Sequence, residues 1–345
     1  MAMKLLLACD KTFGHVAPAL AVADFLKPAD TYIFLPQVRF RKLAQDRGLS
    51  VVGRALRFKG KLAIIGYFWR FFESFYLLTR IRPVKIIGFG GRETFFLIIA
   101  AKLLRIPVYL YEPNFIVGKA NKFLSRISDR LFLGFEQTKL PPYAKGEWVG
   151  ILVRNNLKVY DKIVAKQKLG FSKNDLVFLC FGGSQGSLFI NDIFSRWINE
   201  FNSTLAIIHV TGSKQYQDFL RFYDKMENKK VSLFSFCSDI DLLYSAADIA
   251  LARAGASTVA EVCFYQLPTV FIPYPGANNH QYANAYYLYQ RGGCSLITQQ
   301  DFSYSYFDKI MRKLAADSQL RAKIKNNLAK IKLAKSGSSL LEKII

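Results

Sequence analysis

Short apolar runs separated by helix-length amphipathic segments organise the chain from end to end. In the first half Lys4 to Ala8, Thr31 to Leu35, Val84 to Phe89, Pro107 to Tyr111 and Arg130 to Leu133 read as strands. The second half repeats the scheme with Leu176 to Phe181, Leu205 to Val210, Val231 to Phe234, Asp248 to Ala252 and Pro268 to Ile272. These runs are continuously apolar rather than alternating, so each strand is buried on both faces, and the helix-length connections between them suit parallel crossovers. The pattern predicts an α/β chain of two doubly wound, Rossmann-like domains facing a central cleft. The join falls near Val149 to Asn156, giving domains 1–153 and 154–345, with the last helix packing back on the first domain. The lysine-rich end, Arg321 to Ile345, reads as surface helices interrupted at Ser336-Gly337-Ser338-Ser339.

Composition narrows the partners. With 345 residues and 51% hydrophobic content the chain has enough material for two cores. A formal net charge of +23 requires an acidic partner: nucleic acid, an anionic membrane or a phosphorylated substrate. The cations are spread over doubly wound domains, and the densest cluster is interleaved with bulky apolar residues, which argues against nucleic acid. Cys9, Cys180, Cys237, Cys263 and Cys294 are dispersed and odd in number, so neither a disulfide framework nor a zinc site is expected. Leu6-Leu7-Ala8-Cys9 has the look of a lipoprotein cleavage box, but the apolar run before it is far short of the roughly 7–15 residues of a signal core. No uncharged run reaches the roughly 18 residues of a spanning helix, so membrane contact is expected to be peripheral.

The stretch 54–85 is the most unusual. It holds Arg54, Arg57, Lys59, Lys61, Arg70, Arg80, Arg82 and Lys85 against a single acid, Glu73, together with Phe58, Tyr67, Phe68, Trp69, Phe71, Phe72, Phe75 and Tyr76. On a helix Ile64, Phe68, Phe71, Phe72, Phe75 and Leu78 share a broad face. Aromatics in excess of one core stripe, flanked by cations, predict reversible binding to an anionic membrane surface.

Candidate chemistry sits where strands run into helices. Asp248 to Ala252 breaks at Arg253-Ala254-Gly255-Ala256-Ser257-Thr258 and continues into a helix carrying Glu261. Helix amino termini at the carboxyl ends of parallel strands present bare N–H groups to anions. Ala256, Ser257 and Thr258 are therefore placed near phosphates, and Glu261 where a carboxylate can hold a ribose diol. Gly182-Gly183-Ser184-Gln185-Gly186-Ser187 either holds a diphosphate through Ser184 and its neighbours or serves close packing; it is neither G-x-G-x-x-G nor a Walker loop. Phe236-Cys237 is placed to frame a base through backbone groups, and His209 reads as structural. In the first half Thr12-Phe13-Gly14-His15, Gly88 to Thr94 and Tyr111-Glu112-Pro113-Asn114 follow strands. His15 is either near a ligand's charged group or capping its helix. Asp239-Ile240-Asp241 has the D-x-D form of metal-dependent sugar transferases and equally that of a helix start, the reading adopted, with no metal or other cofactor.

Arg253 to Glu261, His280-Gln281, Asn284 and the G-G-S-Q-G turn together resemble the MurG family of peptidoglycan N-acetylglucosaminyltransferases. The resemblance covers nearly the whole chain. It implies a GT-B fold and inverting transfer of N-acetylglucosamine from UDP-N-acetylglucosamine to undecaprenyl-linked muramoyl-pentapeptide at the cytoplasmic face of the membrane. It further implies donor contacts at Ser184, Cys237, Ala256, Ser257, Thr258, Val259, Ala260, Glu261 and Gln281, with His280 and Gln281 at the sugar. Thr12, Phe13 and Gly14 match a donor-contact turn, Asn114 a strand-end asparagine and Arg154 an arginine after the interdomain glycine.

The first-half loops depart from the family pattern. Asp10, Lys11 and Phe13 stand where its G-G-T-G-G-H loop has glycines, and Arg92-Glu93-Thr94 replace small residues. Such changes keep the backbone further from a pyrophosphate and leave open another lipid acceptor, such as diacylglycerol, or a non-catalytic paralogue. For direct displacement a base must take the acceptor's proton; His15 is the first candidate and Glu112 the second.

Overall fold

Leu5–Ala8 (β1) is four apolar residues, each buried, which requires cover on both faces of its sheet. The computed structural model describes residues 4–10, 12–55, 63–201, 204–226 and 229–344, without the side chains at 39, 63–65, 67 and 277. It divides into two compact units, Met1–Asn155 with Ala334–Ile345, and Asn156–Leu333. Arg57, Phe58, Lys59 and Lys61 of the basic aromatic stretch lie outside the described residues, as do the side chains of Ile64 and Tyr67.

In unit 1, β1 is followed by α1 (Phe13–Ala23), β2 (Thr31–Phe34), α2 (Arg41–Gln45), β3 (Ser50–Val52), α3 (Ala63–Ile81) and β4 (Lys85–Gly88). Then come α4 (Phe95–Leu103), β5 (Val108–Glu112), α5 (Lys119–Leu124), β6 (Arg130–Leu133), β7 (Gly146–Trp148) and β8 (Ile151–Leu152). The main sheet runs β3-β2-β1-β4-β5-β6-β7 with parallel pairing, so the strand order reverses between β1 and β4. Alternation along each strand splits the core in two. Leu7, Ile33 and Ile87 face one cluster with α1, while Leu6, Phe34 and Ile86 face the other with Leu78, Leu97 and Ile98. The short edge strands β3 and β7 are half exposed and lack the apolar runs that mark the inner strands in the sequence.

Unit 2 holds α6 (Lys162–Lys168), β9 (Val177–Phe181), α7 (Leu188–Glu200), β10 (Leu205–Val210), α8 (Tyr216–Tyr223), β11 (Lys229–Phe234) and α9 (Ile240–Ala246). It continues with β12 (Ile249–Ala252), α10 (Ala256–Tyr265), β13 (Thr269–Phe271), α11 (His280–Tyr289), β14 (Ser295–Leu296), α12 (Tyr304–Ala316) and α13 (Ser318–Ala329). Its parallel sheet runs β11-β10-β9-β12-β13-β14, reversing between β9 and β12. The tail returns to unit 1: β15 (Ala334–Lys335) pairs with β8, and α14 (Ser338–Leu341) buries Leu340 and Leu341 in the α1-side core. Gly337 lies against the backbone of α1, where a Cβ would stand 2.0 Å from Ala21 O, so only glycine fits that approach.

Along α3 the predicted broad face divides. Phe71 packs on the core and Leu78 is buried with Arg70 and Ser74, while Phe68, Trp69, Phe72, Phe75 and Tyr76 are exposed. Arg70 goes inward because its guanidinium pairs with Glu73 and Glu93 and lies over the ring of Phe34. Among the described residues no helix is long and apolar enough to cross a membrane.

Candidate functional site

In an open parallel sheet ligands gather beyond the strand ends where the order reverses. In unit 2 that point lies between β9 and β12, and it brings together the Gly182–Ser187 turn and the start of α10. Gly255 is the N-cap of α10 and has no side chain with which to bond the N–H groups of its first turn. A negative group there gains about 0.3–1 kcal/mol from the helix dipole. Ser257, Thr258 and Glu261 are half buried along this end. Glu261 Oε2 accepts a 2.9 Å hydrogen bond from the hydroxyl of buried Tyr244. Tyr244 in turn stacks on Tyr265 at 4.9 Å, whose hydroxyl donates to Asp241.

The glycine turn is a packing device as well as an opening. A Cβ on Gly182 would stand 2.3 Å from Ser187 N, and one on Gly186 2.2 Å from Thr211 O, so neither tolerates a side chain. Gly183 has positive φ and open space around it. Ser184 beside it is half buried.

Arg253, at the end of β12, ties three strand ends together. Its Nε and Nη2 donate to Ser187 Oγ at 3.2 and 2.9 Å, and Nη1 donates to the carbonyls of Ile272 and Pro273, both at 3.0 Å. Burial pulls its pKa down to about 10, which leaves it charged at neutral pH. From α11, Gln281 Oε1 accepts from Ala254 N at 3.2 Å and Tyr274 N at 3.0 Å. Its carbonyl therefore braces the turn. His280 Nε2 is buried without a hydrogen-bond partner among the described residues. Cys237 is half buried in the link between β11 and α9.

Val259 and Ala260 are fully buried, and Val259 N donates to Gly255 O at 2.9 Å, so along this turn they lie between Thr258 and Glu261 as packed residues. Ala256 is buried too and has only its backbone to offer. Asp239 stands at the N-cap of α9 and Asp241 in its first turn, the helix start expected of the D-x-D stretch, and the two carboxylates accept from the hydroxyls of Tyr160 and Tyr265.

In unit 1 the reversal lies between β1 and β4. Thr12 precedes α1 and its Oγ1 lies 3.1 Å from His15 Nδ1. His15 Nε2 points toward Gly90, where a Cβ would be 3.5 Å away and equally close, at 3.6 Å, to Asn121 Nδ2. Gly14 is exposed with nothing within 4 Å of a Cβ, and Phe13 turns inward onto Phe40. Glu112, the second candidate base, is buried and fully engaged. Asn114 N and Nδ2 donate to Oε1, and Gly118 N and Asn121 Nδ2 donate to Oε2. With four donors on two oxygens it shapes the loop. Asp10 Oδ2 accepts from Arg92 N at 3.0 Å, locking the two altered loops together. Arg154 falls in unit 1, just beyond β8, and is half buried.

The sequence reading gave no role to Tyr244, and it placed Arg253 only in the break after Asp248 to Ala252, where an arginine directly following an apolar strand was the available signal.

Family models match in both halves: the glycosyltransferase family 28 N-terminal domain over residues 8–133 and its C-terminal domain over residues 177–340. A Rickettsia akari protein, named UDP-N-acetylglucosamine--N-acetylmuramyl-(pentapeptide) pyrophosphoryl-undecaprenol N-acetylglucosamine transferase, is 31% identical over 99% of this chain and 97% of its own length. A Bdellovibrio bacteriovorus protein of the same name is 28% identical over 99% and 98%. The crystal structure of Acinetobacter baumannii MurG superposes with a TM-score of 0.79 at 24% identity, covering 99% of each chain. The two reversed parallel sheets, the matched domains and these full-length relatives agree: the chain is a GT-B glycosyltransferase of family 28 and belongs to the MurG family.

Proposed function

We propose that the chain transfers N-acetylglucosamine from UDP-N-acetylglucosamine to undecaprenyl-linked muramoyl-pentapeptide, with inversion, in peptidoglycan synthesis. The observation that carries this reading is the uncapped start of α10 with Glu261 held beside it by Tyr244. The α10 amides, Ser257 and Thr258 receive the diphosphate, Glu261 the ribose, the backbone near Cys237 the base, and Gln281 with His280 the sugar. The acceptor hydroxyl attacks the anomeric carbon as the bond to the diphosphate breaks, and UDP departs with the electron pair. Helix-end amides and Arg154 stabilise the charge that develops on it. His15 takes the hydroxyl proton. In the tautomer whose Nδ1 donates to Thr12 Oγ1, the imidazole carries its lone pair on Nε2, the nitrogen beside Gly90, and this is the tautomer the role as base requires.

The enzyme works peripherally at the cytoplasmic face of the membrane. Phe68, Trp69, Phe72 and Tyr76 supply the apolar contact and Arg80 and Arg82 the anion contacts; no nucleic acid is involved. Each cation near an anionic leaflet contributes about 1 kcal/mol. A second acceptor is favoured by one observation: Asp10 occupies the N–H of Arg92, which removes a donor from any diphosphate at that turn. Offering labelled UDP-N-acetylglucosamine with the muramoyl-lipid or with diacylglycerol tests both. Transfer to the muramoyl-lipid supports the first reading and transfer to diacylglycerol alone the second. Binding of UDP-N-acetylglucosamine without transfer to either leaves a non-catalytic paralogue.

A further inference from the structure

We propose that a cavity of about 260 Å³ at the carboxyl ends of β13 and β14 is a second carbohydrate position, taking an uncharged sugar ring beside the donor site. Its size lies below the roughly 300–1,000 Å³ of clefts that enclose drug-sized ligands, which suits one ring rather than a nucleotide. Tyr274 and Tyr282 line it together with Asn279, Thr298, Gln299 and Asp301, and among the described residues its lining carries no lysine or arginine. Phosphate therefore has no counter-charge there, whereas aromatic faces with amide and carboxylate groups match the C–H face and hydroxyl edge of a pyranose.

Three features of the lining favour a ligand there. Tyr282 is held by stacking on Tyr286 at 5.6 Å and 16°, and Tyr286 is stacked in turn on Tyr289. The ring that faces the cavity is thus fixed before anything binds. Gln299 lines the cavity, and its Oε1 is buried with no hydrogen-bond partner among the described residues, a cost that a small rotation of the amide toward a sugar hydroxyl would remove. The Asp301 carboxylate is held in its turn, with Oδ2 accepting from Thr298 Oγ1 at 2.7 Å and Asp301 N donating back to that hydroxyl at 3.2 Å.

The cavity lies beyond β12 from the switch point, and its lining includes neither His280 nor Gln281, the residues given to the donor's sugar, although Asn279 and Tyr282 flank them. It is close enough to be coupled, since Tyr274 N donates to Gln281 Oε1. The proposal does not depend on which sugar the donor site takes.

The test uses the full chain, with N-acetylglucosamine and N,N′-diacetylchitobiose as probes in saturation-transfer NMR, with and without saturating UDP, in the wild type, Tyr282→Ala and Gln299→Leu. Saccharide binding should persist alongside UDP and weaken at least about tenfold in each variant, with UDP affinity unchanged. Absent saccharide binding, displacement by UDP, or binding untouched by both substitutions would overturn the proposal. Failure of UDP itself to bind would count against the donor reading alone, because the saccharide signal and its loss in the variants decide this site without it.

Discussion

Tyr244 and Glu261 are joined by a 2.9 Å hydrogen bond that runs from a buried phenol to a half-buried carboxylate, across 17 residues of sequence. The phenol is fixed from behind by stacking on Tyr265, so it acts as a positioning residue that aims Glu261 along the face of α10. Tyr244→Phe keeps the ring and its stacking and removes only the donor. UDP affinity should then fall by about 1 kcal/mol, or roughly fivefold, while thermal stability changes little. Glu261→Ala should cost more, because it removes the carboxylate proposed to hold the ribose. Calorimetric titration of UDP into both variants checks this; unchanged affinity in Tyr244→Phe would remove the tyrosine from the site.

The contrast between His15 and Glu112 separates chemistry from architecture. His15→Ala should lower turnover by about 10²–10⁴-fold with UDP binding and melting temperature retained, as expected for a lost general base. Glu112→Ala orphans four donors in a buried loop and should cost about 3 kcal/mol or more of stability, visible as a lower melting temperature. A His15→Ala enzyme with full turnover, or a Glu112→Ala protein of unaltered stability, would reverse the assignment.

How much of this was legible beforehand depended on whether interacting residues were neighbours in sequence. The start of α10 and Glu261 lie within one contiguous stretch, and the continuous apolar runs marked the inner strands of both sheets. Arg253 reaches Ser187 across 66 residues, a pairing that no local pattern carries. The three-residue edge strands β3 and β7 were invisible because they need no apolar run. On α3, periodicity placed Phe71 and Leu78 with Phe68 and Phe72. A pattern that sends every arginine outward cannot anticipate Arg70, whose burial depends on Glu73 and Glu93.

Buried His209 makes stability pH-dependent. Its Nε2 must donate to Asn191 Oδ1 at 3.1 Å, so Nδ1 is the acceptor for the Tyr223 hydroxyl at 2.9 Å, which fixes a neutral ring. Burial pushes its pKa down to about 3, below the roughly 6.5 of an unfolded histidine. Between those values the unfolded chain binds the extra proton. The contribution of His209 is therefore complete above about pH 6.5 and is lost as pH falls toward 3, with a slope of up to about 1.4 kcal/mol per pH unit. Urea unfolding followed by tryptophan fluorescence from pH 7 to pH 4 should show a steeper loss in the wild type than in His209→Gln. Parallel profiles would mean that the ring takes up its proton while folded.

Asp248 stands between two lysines and contributes in the opposite charge sense. Burial raises its pKa, and Lys162 with Lys166 more than offsets this, so the carboxyl titrates below its ordinary range. It also accepts from Val177 N at 2.9 Å, tying the start of β9 to β12. Asp248→Asn leaves the nearly buried Lys166 without its counter-ion and should cost about 3 kcal/mol, the low end for a broken buried pair because Lys162 is partly exposed. The penalty should be full at neutral pH. It should shrink as the wild type is acidified below about pH 3.9 toward the lower folded value, where the wild-type carboxyl also becomes neutral. A constant difference in urea midpoint across that range would place the effect in packing instead of charge.

The two sides of α3 make the membrane reading testable within one helix. Phe68 and Phe72 are 65% and 66% exposed, whereas Leu78 is 1% exposed and belongs to the core. Phe68→Ser with Phe72→Ser removes two rings whose full burial would contribute about 1.5–3 kcal/mol each. Partial insertion at an interface recovers a fraction of that, so vesicle affinity should fall by at least about tenfold. UDP binding and melting temperature should stay at wild-type values. Leu78→Ser should do the reverse, lowering the melting temperature through a buried polar group and a cavity. Sedimentation with vesicles of mixed neutral and anionic lipid, across a salt series, reads both contributions: added salt weakens the part due to Arg80 and Arg82, and the aromatic part remains. If the double variant bound vesicles like the wild type, the exposed rings would not be the membrane contact, and the cations alone would have to account for it.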